Sequence, residues 1–337
     1  MHDHHLHLFA AAAALTSADC SPARARDRDG LARALRAQPA DACGWVRGVG
    51  YFESVAGALD RAALDAIEPS RPLRVQHRSG QLWMLNTAAL ERLGATAQHP
   101  TGRVLRADRW LRERLGPSDP PSLAEISRRL SERGVRRVTD ATHTNGPEAV
   151  AAFAAARARG ELAQEVVVMG TLALGAVAPP PGVAIGPLKI HLAEAALPDF
   201  DDAVAAIRAA HAQRRNAAIH VVTRAELVFA LAAYEAAGVR PGDRLEHVHV
   251  APAACVEAIA RLGLAVCANA ALVAERRAEW ERALDPRDAA AIVDVAALAR
   301  AGVRVLHASD APYGPLLDAC GAHARPGQSA PHAAPSR

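Results

Sequence analysis

Residues 3–8 read Asp-His-His-Leu-His-Leu, and the rest of the chain is best interpreted outward from this stretch. Successive side chains of an extended strand point to opposite faces, so His5 and His7 share one face. Two imidazoles on one face can bind one side of a divalent metal, because neutral imidazole is a common zinc ligand. A histidine cluster at a chain start is also typical of a purification tag or a solvated end. The metal interpretation therefore depends on partners elsewhere in the chain.

Composition excludes several classes of protein. The chain has 337 residues and 50% of them are hydrophobic, which is ample for one large domain with a buried core. The formal net charge of +3 and the lack of a basic patch with interleaved aromatics give no indication of nucleic acid binding. Neither a signal peptide nor an apolar run of membrane-spanning length is found, so a cytoplasmic protein without a membrane partner is expected. The five cysteines form no CxxC pair, which fits a reducing compartment.

Short apolar strands alternate with helices over most of the chain. Together with the opening stretch, eight strands are predicted at about 3–8, 136–141, 165–172, 186–192, 216–222, 244–250, 264–269 and 304–309. Helices are predicted at about 9–15, 122–133, 147–158, 200–213, 224–237, 252–261 and 288–300, while 271–287 is irregularly amphipathic. Ser122 and Glu125 have the spacing of a capping box. This alternation predicts a (β/α)8 TIM-like barrel. A doubly wound sheet would need a Gly-rich phosphate turn after its first strand, and none is present.

Residues 17–118 have a different character and are predicted to form an inserted subdomain that covers the pocket. They contain three of the four tryptophans, several Gly-rich turns and two short strand candidates at 73–77 and 82–85. Each tryptophan is most simply a core residue, although large rigid aromatics also suit a pocket. The barrel is therefore assigned to 1–16 and 119–321. Residues 322–337, rich in Pro, Ala, Ser, Gly and His, are predicted to be a disordered tail.

Polar side chains recur at the predicted carboxyl ends of the barrel strands, where barrels of this type place their active sites. They come from five different strands and are His5, His7, Lys189, His220, His247 and Asp310. Each alone could be a core residue satisfied by hydrogen bonds, but the set together favours a metal site. Histidines and a carboxylate can hold a divalent ion that activates water, and Asp310 is then the expected general base and acid.

Lys189 is the unusual member of this set, because a protonated amine cannot bind a metal. Carboxylation by CO2 would convert it into a carboxylate that bridges two ions. The competing interpretation is a lysine paired with an acidic residue near the barrel mouth.

The motifs that carry these residues resemble the amidohydrolase superfamily, and within it the family 3 amidohydrolases that include N-substituted formamide deformylases. The matching segments are 3–8, 186–189, 218–220, 243–247 and 308–312 in the barrel, and 48–51, 59–61 and 76–86 in the insert. The resemblance runs over nearly the whole chain.

The resemblance implies a metal-dependent hydrolase that cleaves C–N bonds of a small molecule with one or two divalent ions, zinc being the expected metal. It implies that His5 and His7 bind one ion. His220 and His247 would either bind a second ion or complete the ligand set of a single ion. Lys189 would be the carboxylated bridge, and Asp310 the ligand and proton shuttle. In the insert, the expected substrate-binding residues are Tyr51, His77 and Trp83. A homodimer is a further expectation.

Several departures from that family leave alternatives open. Relatives have a hydrophobic run before the paired histidines and a β-sandwich built from both chain ends, whereas Met1 here stands almost at the histidines. We therefore expect a shortened first strand, a missing or truncated β-sandwich and low stability. Residues 269–272 read Asn-Ala-Ala-Leu where relatives carry Gln-Pro and aromatics, so an altered substrate wall is expected.

Two other functions compete with the amidohydrolase. One is a truncated or degenerate barrel without activity. The other is a sugar-phosphate barrel enzyme, for which Tyr313-Gly314-Pro315 is a poor phosphate loop.

Overall fold

The computed structural model describes residues 1–116 and 119–317 of the chain. Its strands are β1 (His2–Leu6), β2 (Ala18–Asp19), β3 (Val46–Tyr51), β4 (Leu73–His77), β5 (Leu82–Leu85), β6 (Arg103–Leu105), β7 (Arg137–Asp140), β8 (Glu165–Gly170), β9 (Val183–His191), β10 (Ala217–Val221), β11 (Arg244–His247), β12 (Ala265–Ala268) and β13 (Val305–His307). Its helices are α1 (Leu8–Leu15), α2 (Arg28–Ala37), α3 (Glu53–Ala56), α4 (Arg61–Asp65), α5 (Thr87–Arg92), α6 (Asp108–Leu115), α7 (Ala124–Glu132), α8 (Pro147–Ala158), α9 (Phe200–Ala212), α10 (Arg224–Ala237), α11 (Ala253–Leu262), α12 (Ala270–Ala283), α13 (Pro286–Ala289) and α14 (Val295–Arg300).

Eight strands, β1 and β7–β13, form one parallel sheet in which chain order and spatial order agree. They coincide with the eight predicted strands. At the seam between β13 and β1, the Asp310 backbone N–H donates to the His5 carbonyl at 2.8 Å, and the His7 N–H donates to the Ala311 carbonyl at 2.8 Å. The result is a nearly closed (β/α)8 barrel, and the predicted fold class is confirmed.

Alternation along the strands separates an apolar shell from a polar interior. On β10, Ile219 and Val221 pack into the apolar cluster shared with the surrounding helices, whereas His220 between them points the other way. On β11, Leu245 joins the same apolar cluster, while Glu246 is fully buried and bonded to His5 across the barrel. The same alternation that buries the helices' apolar faces thus directs polar side chains into the barrel.

The helical region after β12 differs from its prediction. Residues 271–287, described above as irregularly amphipathic and given no helix, lie largely in the 14-residue helix α12, which begins at Ala270. Its sequence is rich in Ala, Glu and Arg, which are strong helix formers, so it does not need a strongly amphipathic pattern. The single helix predicted at 288–300 is instead broken into α13 and α14. Between them Ile292 pairs with Val250 in an antiparallel bridge, and the Asp294 carboxylate accepts from the Ala296 N–H at 2.9 Å to begin α14.

The predicted capping box at Ser122 and Glu125 is wrong. The residue that precedes α7 is Leu123, whose side chain cannot cap the helix, and the Ser122 hydroxyl instead donates to Glu161 Oε2 at 3.1 Å and accepts from the Ala124 N–H at 3.3 Å. Glu125 instead pairs with Arg128 and Arg129 one turn further along the helix, at 2.8 Å each. A complete capping box occurs at the start of α10, where Thr223 and Glu226 cap each other's backbone N–H groups.

The insert has its own five-stranded sheet, β2 to β6 in spatial order. Strands β2, β3 and β4 are parallel, β5 pairs antiparallel with β4, and β6 pairs antiparallel with β5. The predicted strands at 73–77 and 82–85 are confirmed as β4 and β5. The insert boundaries at 17 and 118 stay predictions, and the predicted disordered tail at 322–337 lies outside the described residues. Within 1–116 and 119–317, no helix has both the length and the apolar character needed to cross a bilayer.

Candidate metal centre

The predicted ligands from β1, β11 and the loop after β13 lie together at the carboxyl end of the barrel. Asp310 Oδ1 is 3.5 Å from the Nε2 atoms of both His5 and His7, and Asp310 Oδ2 is 3.9 Å from His247 Nδ1. The ring centroid of His247 is 4.6 Å from that of His5 and 4.6 Å from that of His220. His5, His247 and Asp310 offer ligand atoms within 4.8 Å of one another. Residues 300 positions apart in sequence are thus brought to one place.

Each of the three histidines nearest Asp310 has one ring nitrogen fixed by a partner. His5 Nδ1 donates to Glu246 Oε2 at 2.6 Å, and His7 Nδ1 is 2.9 Å from the Thr142 hydroxyl. His247 Nδ1 bonds to the side-chain oxygen of Asn269. Partners of this kind fix the ring orientation and leave the Nε2 atom free to bind a metal.

These three partners were not predicted as site residues. Glu246 directly precedes His247 in the sequence, and Asn269 directly follows β12, so their positions at strand ends carried a usable signal.

The backbone is strained at the same place. His247, Val248 and Asp310 have φ values of +70°, +54° and +59°, in the left-handed region that non-glycine residues rarely adopt. Such conformations cost about 1–3 kcal/mol each and persist where the surrounding structure holds them, commonly at functional sites. Here the Val248 N–H donates to the Val221 carbonyl at 2.9 Å, and the Asp310 N–H donates to His5.

Burial keeps the histidines of the site neutral. It is the main cause that lowers the pKa values of His5, His220 and His247 below the ordinary value. Burial alone would raise the pKa of Asp310, but the neighbouring His247, His7 and His5 outweigh it and hold that pKa below its usual value. Neutral imidazoles beside an ionised carboxylate are the protonation states that metal binding requires.

Lys189 has no hydrogen-bond partner for its buried Nζ atom among the residues described. Burial lowers its pKa, although the carboxylates of Glu246 and Asp310 act in the opposite direction. The side chain is therefore not the ion-paired lysine of the competing interpretation. An unpartnered amine beside imidazoles and a carboxylate fits a set of donors for a divalent ion, because nitrogen and oxygen ligands of this type suit zinc and similar metals.

A second group of candidate ligand atoms lies deeper in the barrel, at His5, Glu246 and Cys267. Both carboxylate oxygens of Glu246 already have partners, since Arg244 Nε donates to Oε1 at 2.7 Å and His5 donates to Oε2. This group is therefore a buried hydrogen-bond network that fixes the orientation of the His5 ring.

The three predicted substrate-binding residues have their polar atoms bonded within the insert. The Tyr51 hydroxyl donates to the Gly57 carbonyl at 2.7 Å, and Trp83 Nε1 donates to Asp108 Oδ1 at 2.8 Å. His77 lies 3.0 Å from Glu53 Oε2. Their roles in substrate binding stay predictions.

A loop of the insert packs directly beside the candidate centre. Gly80, with φ +73°, lies so close to Tyr313 that an added Cβ would be 2.8 Å from the Tyr313 ring. The Tyr313 ring is in turn 5.6 Å from that of His7. Arg78 forms an ion pair with Glu279 on α12, which ties the same loop to the barrel. The contact explains why only glycine fits at position 80.

Three further histidines extend the candidate centre and were missed from the sequence. His249 is 5.4 Å from His247, while His191 is 4.4 Å from His220 and His143 is 5.0 Å from His191, all between ring centroids. His191 lies two residues after Lys189 on β9, a spacing that puts both side chains on one face of the strand. His249 also lies two residues after a predicted ligand, although β11 ends at His247. That spacing was the available signal.

Comparison with known proteins agrees with this architecture. A metal-dependent hydrolase from Pyrococcus horikoshii, itself uncharacterised, superposes with a TM-score of 0.71 at 17% identity, over 93% of this chain and 71% of the other. One from Pyrococcus furiosus, also uncharacterised, gives 0.69 at 18% identity, over 93% and 73%. No curated protein sequence matches significantly. The model of the amidohydrolase family matches residues 1–324, nearly the whole chain. The chain therefore belongs to the amidohydrolase family.

Proposed function

We propose that the chain is a metal-dependent hydrolase that cleaves an amide-type C–N bond of a small molecule. The observation that carries the proposal is the placement of Asp310 3.5 Å from both His5 Nε2 and His7 Nε2. Family membership supports hydrolysis, and the two Pyrococcus neighbours, described as metal-dependent hydrolases, share the fold. The finer assignment to formamide-type substrates rests on the resemblance of the motifs.

The residues that would hold the metal are His5, His7, His220, His247 and Asp310, with Lys189 as a carboxylated bridge if two ions bind. A bound divalent ion, zinc in this proposal, lowers the pKa of water and polarises a carbonyl oxygen. Lys189 is suited to carboxylation because burial lowers its pKa, and a neutral amine is the form that attacks CO2. Formation of the carbamate releases one proton and leaves a carboxylate in place of the amine.

Asp310 is the proposed proton carrier. Its carboxylate is ionised at neutral pH, because the neighbouring histidines hold its pKa low, so it can accept a proton from water. The strained backbone and the hydrogen bond from its N–H to His5 fix its direction. The same carboxyl group can then deliver the proton to the leaving nitrogen.

Metal analysis and activity together test the proposal. The full chain, reconstituted with zinc and bicarbonate at neutral pH, should hold roughly one to two zinc ions per chain. It should hydrolyse at least one member of a panel of N-substituted formamides, N-acyl amines and cyclic amides. Absence of bound metal would contradict the metal site. Metal binding without hydrolysis of any panel member would favour the alternative of a barrel without activity.

A further inference from the structure

Two buried polar groups beside the candidate centre have no role in the proposed metal site. His249 Nε2, after β11, and Arg276 Nε, on α12, are both shielded from solvent and make no hydrogen bond within the described part of the chain. Arg276 and Trp280 are four residues apart on one face of α12, and the His249 ring packs against Trp280 with 4.8 Å between ring centroids, so both groups lie at the same face of this helix. Buried polar atoms without partners are rare in proteins, because each costs free energy of desolvation.

Arg276 carries a positive charge that no neighbouring carboxylate neutralises directly. Its Nη2 atom donates to the Tyr313 carbonyl at 2.6 Å, which leaves the Nε–H free. Glu279, the acidic residue one turn further along α12, pairs instead with Arg78 of the insert. Within residues 1–116 and 119–317, no carboxylate forms an ion pair with Arg276. A partly buried guanidinium without an ion-pair partner is stabilised when a bound anion accepts its hydrogen bonds and neutralises its charge.

His249 supplies the second polar atom and is held in place by packing. Its ring lies 4.8 Å from that of Trp280 and 5.4 Å from that of His247. Its Nε2 atom offers one N–H or one lone pair according to the tautomer of the ring. One imidazole nitrogen next to one guanidinium matches a monoanion better than a phosphate dianion, which needs several charged donors.

We propose that Arg276 and His249 form a carboxylate-binding subsite next to the metal centre, so that the substrate is an amide that also bears a carboxylate. That the substrate is an amide rests on the proposed function, whereas binding of a carboxylate at this subsite does not depend on hydrolysis.

Binding of a matched pair of probes tests the subsite without any requirement for hydrolysis. N-acetylglycine carries the carboxylate, and N-acetylglycinamide is its neutral counterpart. Titration calorimetry of the zinc-loaded full chain should show the acid binding more tightly than the amide. In Arg276→Gln this preference should fall by roughly 10- to 100-fold, the range of one hydrogen bond to a charged group. The control is Arg282→Gln, which removes one positive charge from the exposed side of the same helix and should leave the preference unchanged.

Two further variants keep the test decisive. Arg276→Lys retains the charge and should preserve part of the preference, which a purely structural role would not predict. His249→Phe keeps a ring against Trp280 while removing Nε2, and should weaken binding of the acid more than binding of the amide. An unchanged preference in both Arg276→Gln and His249→Phe would overturn the subsite, because the carboxylate would then be bound by the metal alone. Equal weakening of both probes would also overturn it.

Discussion

The two sides of the candidate centre differ in how their polar atoms are satisfied. On one side, His5, His7 and His247 each have a ring nitrogen fixed by Glu246, Thr142 or Asn269. The other side is formed by three side chains that each have a buried atom without a partner in the described structure: Lys189 Nζ, His249 Nε2 and Arg276 Nε. We call these the partnered side and the unpartnered side.

The difference distinguishes residues that are already oriented in the metal-free protein from residues whose polar atoms gain a partner only when a ligand binds. A partnered imidazole is oriented before the metal arrives, so less ordering is required on binding. An unpartnered buried donor destabilises the empty protein and is stabilised only when something binds. Unpartnered buried atoms also occur in the insert, as at Arg74 Nε, but that guanidinium is stacked between Trp45 and Trp83, at 5.8 Å and 5.7 Å from the ring centroids.

The largest effect is expected at Asp310, where the two sides meet. Asp310→Asn keeps the size of the side chain but removes its ability to accept a proton. We expect kcat/KM to fall by about 10²- to 10⁴-fold, the usual contribution of general acid–base catalysis. Steady-state kinetics on the best panel substrate would measure it. A variant that retains metal and full activity would remove Asp310 from the chemistry.

The next largest effect concerns the partnered side. Thr142→Val removes the hydroxyl that bonds His7 Nδ1 and keeps the side-chain shape. Metal affinity should fall by about 10- to 100-fold, as is typical when a ligand loses its orienting partner. Competition with a chelator would measure the change.

Thr139→Val is the matched control. Its hydroxyl lies 2.9 Å from His2 Nε2, a histidine outside the predicted ligand set. An equal loss of metal affinity in Thr142→Val and Thr139→Val would contradict the assignment of His7 as a metal ligand and of His2 as a residue that does not bind the metal.

A smaller effect, on stability, is expected on the unpartnered side. Lysine in the unfolded chain has a pKa of 10.5, whereas burial lowers the pKa of Lys189 in the folded chain. Between the lowered pKa of the folded chain and 10.5, the unfolded chain therefore binds more protons than the folded chain, so stability rises as the pH increases through this window. Lys189→Met should remove this contribution and stabilise the metal-free protein by about 1–3 kcal/mol at neutral pH, while metal binding weakens.

Urea denaturation of metal-free, bicarbonate-free protein between pH 7 and pH 10 would measure this effect in both chains. Other groups titrate in that range, so the informative quantity is the difference between the parent and Lys189→Met. If that difference does not change with pH, Lys189 is charged in the folded state and the unpartnered side is wrongly described.

The smallest effect is expected where the insert meets the barrel. Arg78 pairs with Glu279, but both side chains are partly exposed to solvent. A double-mutant cycle of Arg78→Gln and Glu279→Gln should give a coupling energy of about 0.2–1 kcal/mol, the range for exposed ion pairs. A coupling of several kcal/mol would show that the contact behaves as a buried pair.

Much of the barrel was predictable because its signal is periodic. Strands such as β8 and β10 are short apolar runs, and most of the barrel strands, β10 among them, are followed by a helical pattern, so the eight-strand count emerged from residue order alone. Helix α12 was missed because its helicity comes from the propensities of Ala, Glu and Arg and not from an apolar stripe.

The candidate centre was predictable at strand ends and not beyond them. Paired histidines, the Glu-His pair on β11 and Ser-Asp after β13 are local patterns that sequence inspection can find. The partners Thr142 and Arg276 lie in a loop and a helix, so their approach to the centre depends on tertiary packing. Positive φ values at His247 and Asp310 have no sequence signature, because the surrounding backbone imposes them.

A crystal structure of the zinc-loaded chain, with anomalous differences measured at the zinc edge, would show directly whether His5, His7 and Asp310 bind the metal. We expect a peak about 2.0–2.2 Å from the Nε2 atoms of His5 and His7 and from a carboxylate oxygen of Asp310. A peak only at His2 and His4, whose ring centroids lie 3.8 Å apart on the same strand, would contradict this placement, because the histidines would then act as an adventitious terminal cluster.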